Sequence, residues 1–185
     1  MKVLAVILLM AVLSIGANLA MAAPDPVFDA ATAAVTCTVD EIIEWDDTVN
    51  AGNFETIAIA AITNQADTPS ASKALVLYTN CDLDITADDS NAAQLIERVT
   101  SNDTLVTEYK LDYDHESAGA DTWGVERDWT GYATFLKDAA ASAVTHVSLD
   151  GAVLVTLSAR ASNDTGNVAD AGNYTATQTL TATFH

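Results

Sequence analysis

The sequence predicts an all-β sandwich, and three observations support this fold class. Many short segments alternate apolar and polar residues with a period of two, which is typical of half-buried strands. Turn-forming residues separate these segments, and only one stretch, beginning at Asp89, has helical spacing. Together these features favour two packed antiparallel sheets with at most one or two short helices. A closed barrel is the alternative.

The first residues are typical of an export signal. Lys2 precedes an apolar run over residues 3–13, and residues 20–22 (AMA) match the small-residue pattern before a cleavage site. The run is shorter than the roughly 20 residues of a membrane-spanning helix, so a retained anchor is the weaker alternative. We therefore expect residues 1–22 to be a signal peptide and the mature chain to be exported without membrane insertion.

The charge balance restricts the partners of the chain. It has 26 acidic and 7 basic residues, with a net charge of −19. Nucleic acid and anionic lipid are poor partners for such a surface, because both are bound through clustered Lys and Arg. The acidic excess indicates either a solvated surface or calcium binding. The calcium candidates, none of them at EF-hand spacing, are Asp82, Asp84, Asp88, Asp112 and Asp114. We expect no other cofactor.

The two cysteines, Cys37 and Cys81, predict one disulfide. In an exported chain an even number of cysteines favours a disulfide over a metal site or a redox pair. Closing a loop of this length would stabilise the fold by about 4 kcal/mol on the chain-entropy estimate.

Alternation predicts three strands in the first half of the chain. These are residues 34–43, 54–63 and 73–86, with a loop at 64–72 and a break in the last strand at 80–81. In the third strand Leu83 and Ile85 face one side, while acidic residues and Thr86 face the other.

The helical stretch follows. Asp89-Ser90 can cap a helix in which Ala92, Leu95, Ile96 and Val99 lie at helical spacing. Further alternation predicts strands at residues 104–113, 130–136, 145–149 and 152–159, and then a loop at 162–172.

Residues 172–185 predict one long final strand. One face carries Tyr174, Ala176, Gln178, Leu180, Ala182 and Phe184. The other face carries only threonines, whose β-branched side chains favour strands. An unpaired strand of this length would promote aggregation, so we expect another strand to cover it.

Three features resemble a known family. Cys37 lies within AVTCTVD and Cys81 within LVLYTNCDLD, while Gly172 is the fourteenth residue from the end and Phe184 the penultimate one. In these features the chain resembles the pilins that Gram-negative bacteria assemble by the chaperone and usher route, including spore-coat-U-like secreted subunits.

The resemblance implies an immunoglobulin-like sandwich that lacks its last strand and has the Cys37–Cys81 disulfide. A periplasmic chaperone would first supply the missing strand, and an outer-membrane usher would then exchange it for the amino-terminal extension of another subunit. The chaperone-binding and acceptor strand would contain Gly172, Tyr174, Ala176, Leu180, Ala182 and Phe184.

The resemblance also divides the mature chain into a donor segment, residues 23–36, and a domain, residues 37–185. The apolar residues of the donor segment are Val27, Phe28, Ala31, Ala33 and Val35. Asp29 interrupts one face, and Pro24 and Pro26 limit pairing because proline lacks an N–H. The alternative is an ordinary amino terminus that leads into the first strand.

Two functions are compatible with this sequence. The first is a shaft subunit of an extracellular, cell-surface fibre that joins copies of itself head to tail and contributes to adhesion or biofilm. The second is a self-complemented secreted sandwich that binds a glycan through Trp123 and Trp129, or calcium through the Asp-rich loops. We expect no enzymatic activity, since the chain has neither a nucleophile elbow nor a Gly-rich oxyanion loop.

Overall fold

The structure of the chain is a computed structural model. It describes residues 32–115, 123–124, 126–137, 142–146 and 151–184, with the backbone alone at 114–115 and 123–124. Residues 40–185 form one compact unit, to which the described residues 32–39 do not belong. The predicted signal peptide and most of the donor segment, including Val27, Phe28 and Ala31, lie outside the described residues.

Strands make up nearly all of the regular structure in the described part of residues 40–185. They are β1 Ile43–Trp45, β2 Ser70–Thr79, β3 Leu83–Ala87, β4 Ile96–Glu97, β5 Val106–His115, β6 Trp123–Gly124, β7 Arg127–Gly131, β8 Ser142–Thr145, β9 Ala152–Ser162, β10 Tyr174–Thr175 and β11 Leu180–Phe184. The described part of the chain contains a single 3₁₀ turn at Asn91–Ala93 and no α-helix.

The larger sheet, which we call sheet A, has the order β1-β2-β9-β5-β7 and is antiparallel throughout. Its centre is β9. This strand pairs with β2 from Ser70↔Arg160 to Tyr78↔Ala152, and with β5 from Val106↔Ser162 to His115↔Val153. Both long edges of β9 are therefore paired along most of their length.

The second sheet, sheet B, has the order β11-β3-β8-β6 and is also antiparallel. The carboxyl-terminal strand β11 is an edge strand, and it pairs with β3 from Leu180↔Ala87 to Phe184↔Leu83. A separate two-stranded ladder joins β10 to β4.

The two sheets contribute to one hydrophobic core. Sheet A supplies Leu77, Leu111 and Val155, and sheet B supplies Leu83 and Ile85, all of which are 0 % exposed. The alternating strands place one face of each sheet in this core and the other towards solvent. The predicted all-β class with antiparallel sheets is confirmed.

Several predicted elements agree with the structure. β2 ends at Thr79 and β3 begins at Leu83, so the expected break at 80–81 is present. The Thr79 hydroxyl donates a hydrogen bond to the Cys81 carbonyl at 2.8 Å and stabilises the turn there. β5 and β9 lie where alternation predicted strands, and a loop without strands follows β9 up to residue 173.

The predicted first strand at 34–43 is wrong. Residues 32–42 have no regular secondary structure, and β1 begins only at Ile43. β-branched residues favour a strand only where a partner strand accepts their backbone bonds. The alternation in this segment is therefore not sufficient to place it in a sheet of the described fold.

The predicted helix is limited to one turn. Ser90 caps it by accepting a hydrogen bond from the Ala92 N–H at 3.2 Å, as expected for an N-cap serine. Ile96 and Glu97 then enter β4, where they pair with β10. Pairing with a distant strand thus overrides the helical spacing.

The strand predicted at 130–136 is also wrong beyond Gly131. The N–H groups of Thr134 and Phe135 both donate to the Gly131 carbonyl at 3.0 Å, which turns the chain. Phe135 and Leu136 are nevertheless buried, at 0 % and 1 % exposure. The apolar residues of this turn pack on the core, so their spacing in the sequence resembles that of a half-buried strand. β8 occupies Ser142–Thr145, and residues 147–149 lie outside the described residues.

The predicted disulfide is not formed in the structure. Cys37 is an exposed free thiol in the irregular segment before β1, and Cys81 is a half-buried free thiol after β2. The Cys81 Sγ lies 3.5 Å from the Thr79 Oγ1 and 3.9 Å from the Ile42 carbonyl. Since the expected strand around Cys37 is absent, no ladder positions this thiol for bonding.

Substitution of Leu111 by Ala should destabilise the domain by about 2–5 kcal/mol, because it removes a fully buried side chain from the shared core. Val106 lies on the same strand and is 38 % exposed, so Val106→Ala is the matched control and should cost much less. The measurement is the free energy of unfolding in urea. Equal losses in both variants would contradict the assignment of this core face.

Candidate binding groove

The final strand is divided into two pieces with different partners. β10 pairs with β4, β11 pairs with β3, and residues 176–179 between them belong to no ladder. The single strand predicted over 172–185 is therefore corrected to two short strands joined by an extended connection. This connection is part of a wall that faces an open space.

The predicted alternation of this wall is present. Tyr174, Ala176, Gln178, Leu180 and Ala182 are half-buried, whereas the threonines between them are exposed. Phe184 is 48 % exposed, so its ring is only partly covered. We call residues 174–184 the first wall.

The backbone of the first wall is paired on one side only. The Thr177 N–H donates to the Ala92 carbonyl at 2.8 Å, and the Asp88 N–H donates to the Thr179 carbonyl at 2.9 Å. Successive residues of an extended chain direct their backbone groups to opposite sides. Ala176 and Gln178 therefore present their N–H groups to the open side, where they have no acceptor among the described residues.

A second wall lies across the open space. In residues 54–62 the side chains of Phe54, Ile57, Ile59 and Ile62 are half-buried and the others are exposed, and the segment forms no strand. Within the described structure none of their N–H groups donates to another backbone group. The sequence predicted a strand at 54–63, and the structure gives instead an irregular segment without a sheet partner.

The space between the walls is a groove of about 630 Å³, lined by apolar residues and by polar ones such as Thr107 and Gln178. Its floor is the core face of sheet A, with Leu75, Tyr109, Leu157 and Ala159. A second cavity of about 680 Å³ continues along β11, and it shares Trp45 and Leu180 with the first. We call the two together the open groove.

A turn fixes the start of the second wall. Asn50, Ala51 and Gly52 all have left-handed φ angles, of 46°, 52° and 74°, and they reverse the chain after β1. The reversal packs Phe54 on Trp45, with ring centroids 5.8 Å apart. Consecutive left-handed residues are costly for residues with a Cβ, so this packing has to hold them in place.

Glu97 anchors the first wall at its other end. Its side chain is 3 % exposed and lies on β4 opposite Tyr174. One carboxylate oxygen accepts hydrogen bonds at 2.8 Å from the N–H groups of both Thr100 and Ser101, and the other accepts from Val99 at 3.1 Å. These bonds lower the pKa of Glu97 to about 2. The ionised carboxylate holds the 98–101 turn against β10.

Gly172 has a packing role that the resemblance did not indicate. A Cβ at this position would lie 2.5 Å from the Cγ of Glu97. Glu97 cannot move away without losing its hydrogen bonds to the turn. Only glycine, which has no Cβ, therefore allows the backbone just before the first wall to approach the Glu97 side chain this closely.

The predicted calcium ligands do not come together. Asp82 accepts a hydrogen bond from the His146 N–H, Asp88 accepts from Ser90, and Asp112 pairs with Lys110 at 2.7 Å. The side chain of Asp114 is not among those described. In the described part of the chain no three His, Cys, Asp or Glu residues are grouped as metal ligands, and Asp84 belongs to no such group.

One of the two tryptophans predicted to bind a glycan is partly covered by another side chain. The guanidinium of Arg160 lies 4.6 Å from the centre of the Trp129 ring, and Glu108 accepts a hydrogen bond from Arg160 at 2.7 Å. One face of the Trp129 ring is thus covered by a cation held in place by a carboxylate. The side chain of Trp123 is not described, so the pairing of the two tryptophans stays a prediction.

Neither of two comparisons with known proteins identified a relative of this chain. Searches against protein-family models and against curated protein sequences found no match. No helix in the described residues is long and apolar enough to cross a membrane.

The domain should lose stability in acid through Glu97. Because its folded pKa is lowered to about 2 from an ordinary value of 4.5, its contribution is fully present above pH 4.5 and is lost as the pH falls towards 2. The measurement is the free energy of unfolding between pH 7 and pH 2. Glu97→Gln should be less stable at pH 7 and should show a smaller loss below pH 4.5. Parallel curves for both proteins would contradict this.

Gly172→Ala should destabilise the domain by about 1–3 kcal/mol, because the new methyl group overlaps the Glu97 side chain. Gly131→Ala is the matched control, since a Cβ there meets nothing within 4 Å. Thermal unfolding of the two variants checks this, and an equal change in melting temperature would count against the close approach.

Proposed function

We propose that this protein is a structural subunit of an extracellular fibre, and that the open groove accepts a strand donated by a second copy of the chain. In this proposal sheets A and B form an immunoglobulin-like sandwich that lacks one strand. The observation that carries it is the open groove itself, a channel between two walls that both have unpaired backbone groups.

A donated strand satisfies both deficiencies of the groove. Its side chains would pack on half-buried apolar residues of the two walls, such as Ile57 and Leu180, and its backbone would pair with the free edge of the first wall. A small ligand could fill the cavity, but it would leave the row of backbone groups unpaired. An extended peptide therefore fits this groove better than a compact ligand.

The chain contains a segment of suitable length. The first wall spans eleven residues, or about 36 Å at the rise of a strand. Residues 23–36 supply fourteen residues with apolar content, and the last of them are exposed, with Val35 90 % exposed. Donation from one copy to the next does not close on itself, so it produces a fibre.

The same proposal implies two partners that assist assembly. An empty groove would promote aggregation, so a periplasmic chaperone would cover it before assembly and an outer-membrane usher would release the subunit into the fibre. The fibre would contribute to adhesion or biofilm, with this subunit in the shaft.

The test compares substitutions on the two faces of the first wall in the mature chain, residues 23–185. Ala176→Asp places a charge inside the groove and should abolish filaments, whereas Thr177→Asp places it on the exposed face and should leave them intact. Size-exclusion chromatography and negative-stain microscopy measure assembly, and circular dichroism checks that both variants fold.

Two outcomes would overturn the proposal. One is an unsubstituted mature chain that stays monomeric at every concentration tested. The other is Ala176→Asp filaments of the same length and yield as those of Thr177→Asp, which would mean that the groove is not the joint between subunits.

A further inference from the structure

The side chains that line the open groove include carboxylates but no cation. Glu55 lines the first cavity and Glu41 the second, and within the described residues no Lys or Arg lines either cavity. The Glu55 carboxylate lies 2.5 Å from the Nζ of Lys73 on β2, which balances its charge. Glu41 is exposed and has no ion pair within the described residues. The groove therefore offers a negative charge to whatever enters its second cavity.

The few basic residues of the chain are mostly used inside the domain. The chain has 7 basic and 26 acidic residues. Within the described residues, four of the basic ones form ion pairs with carboxylates of the same domain, namely Lys73 with Glu55, Lys110 with Asp112, Lys137 with Asp89 and Arg160 with Glu108. These pairs leave few cations that could meet the carboxylates of a second copy.

A second copy of the chain is a like-charged partner. The full chain has a net charge of −19, and loss of Lys2 with the signal peptide makes the mature chain more negative still. Protein partners usually meet with opposite charges, which attract them during the encounter. The joint between two copies would have backbone pairing and apolar contacts but would lack this attraction. Each approach of one copy to the groove of another is opposed by repulsion.

We propose that like-charge repulsion at the open groove keeps copies of this protein apart at low ionic strength, and that salt permits assembly by screening it. The inference rests on the proposed function and adds a regulator to the same groove. The Debye length is about 30 Å at 0.01 M salt and about 10 Å at 0.1 M. Backbone pairing and apolar contacts are short-range and carry no net charge, so moderate salt changes them far less than it changes the repulsion.

Cation bridging is a different way for salt to promote assembly. A calcium ion that joined two copies would need six to eight oxygen ligands at one place. Within the described residues no three His, Cys, Asp or Glu side chains are grouped as metal ligands. Screening requires no such group, since it acts on all exposed carboxylates at once. The charge pattern therefore favours screening over bridging.

The experiment measures the protein concentration needed for half-maximal assembly of the mature chain, residues 23–185, at increasing NaCl. This concentration should fall by at least about tenfold as the Debye length shortens from about 30 Å to about 10 Å. CaCl₂ at equal ionic strength should give the same result as NaCl. Filaments are measured by sedimentation and negative-stain microscopy, and circular dichroism at the lowest salt concentration checks that the chain is folded.

Two variants test whether the repulsion is located at the groove. Glu41→Gln removes the charge of the second cavity and should lower the assembly concentration by about two- to fivefold at low salt, the range expected for one exposed charge. This gain should shrink as salt increases. Glu126→Gln is the matched control. Glu126 is exposed and directly precedes β7, at the opposite edge of sheet A from β1, so its loss should have a smaller effect.

Three outcomes would overturn the salt proposal and leave the fibre proposal standing. The first is an assembly concentration that does not change with NaCl. The second is assembly that CaCl₂ triggers and NaCl of equal ionic strength does not, which would indicate cation bridging. The third is an equal effect of Glu41→Gln and Glu126→Gln at low salt, which would mean that the groove is not where the repulsion acts. Absence of filaments at every salt concentration would overturn both proposals.

Discussion

The ladder centred on β9 is the interaction on which the rest of the structure depends. β9 is paired on both sides over nearly its whole length, so sheet A is a complete platform with a continuous core face. Across from this face, the edge strand β11 of sheet B has one partner strand and residues 54–62 have none. The open groove lies between these two segments. The limits of the open groove are therefore set by where backbone pairing ends as well as by where the apolar side chains lie.

Alternation predicted the fold class and the long strands, because β2, β5 and β9 each bury one face in the core. It failed where an element has the right pattern but no partner, as in residues 34–42 and 54–62. A sequence records which side chains prefer burial, but the presence of a neighbouring strand is a property of the whole fold. The divided final strand follows from the same limit, since β4 and β3 capture different parts of it.

The wall residues of the groove could be read from the sequence, whereas the residues that position them could not. Alternation placed Ala176, Gln178 and Leu180 on one face, and the structure agrees. Glu97 carried no signal, because one Glu in an acidic chain is unremarkable until the 98–101 turn folds over it. The close approach of Gly172 depends on that folded turn. Long-range packing of this kind can be recognised only from the folded structure.

The pairing of β11 with β3 also constrains the order of folding. Thr181 meets Thr86 across a separation of 95 residues, so the free edge of sheet B cannot be set until the end of the chain is available. Contacts of such long range close slowly, because the intervening loop loses entropy before the contact forms. During that interval β3 is itself an exposed edge. The groove therefore lies beside an edge that is complete only after the end of the chain has paired with β3, and a partner that binds before that pairing would meet an incomplete first wall.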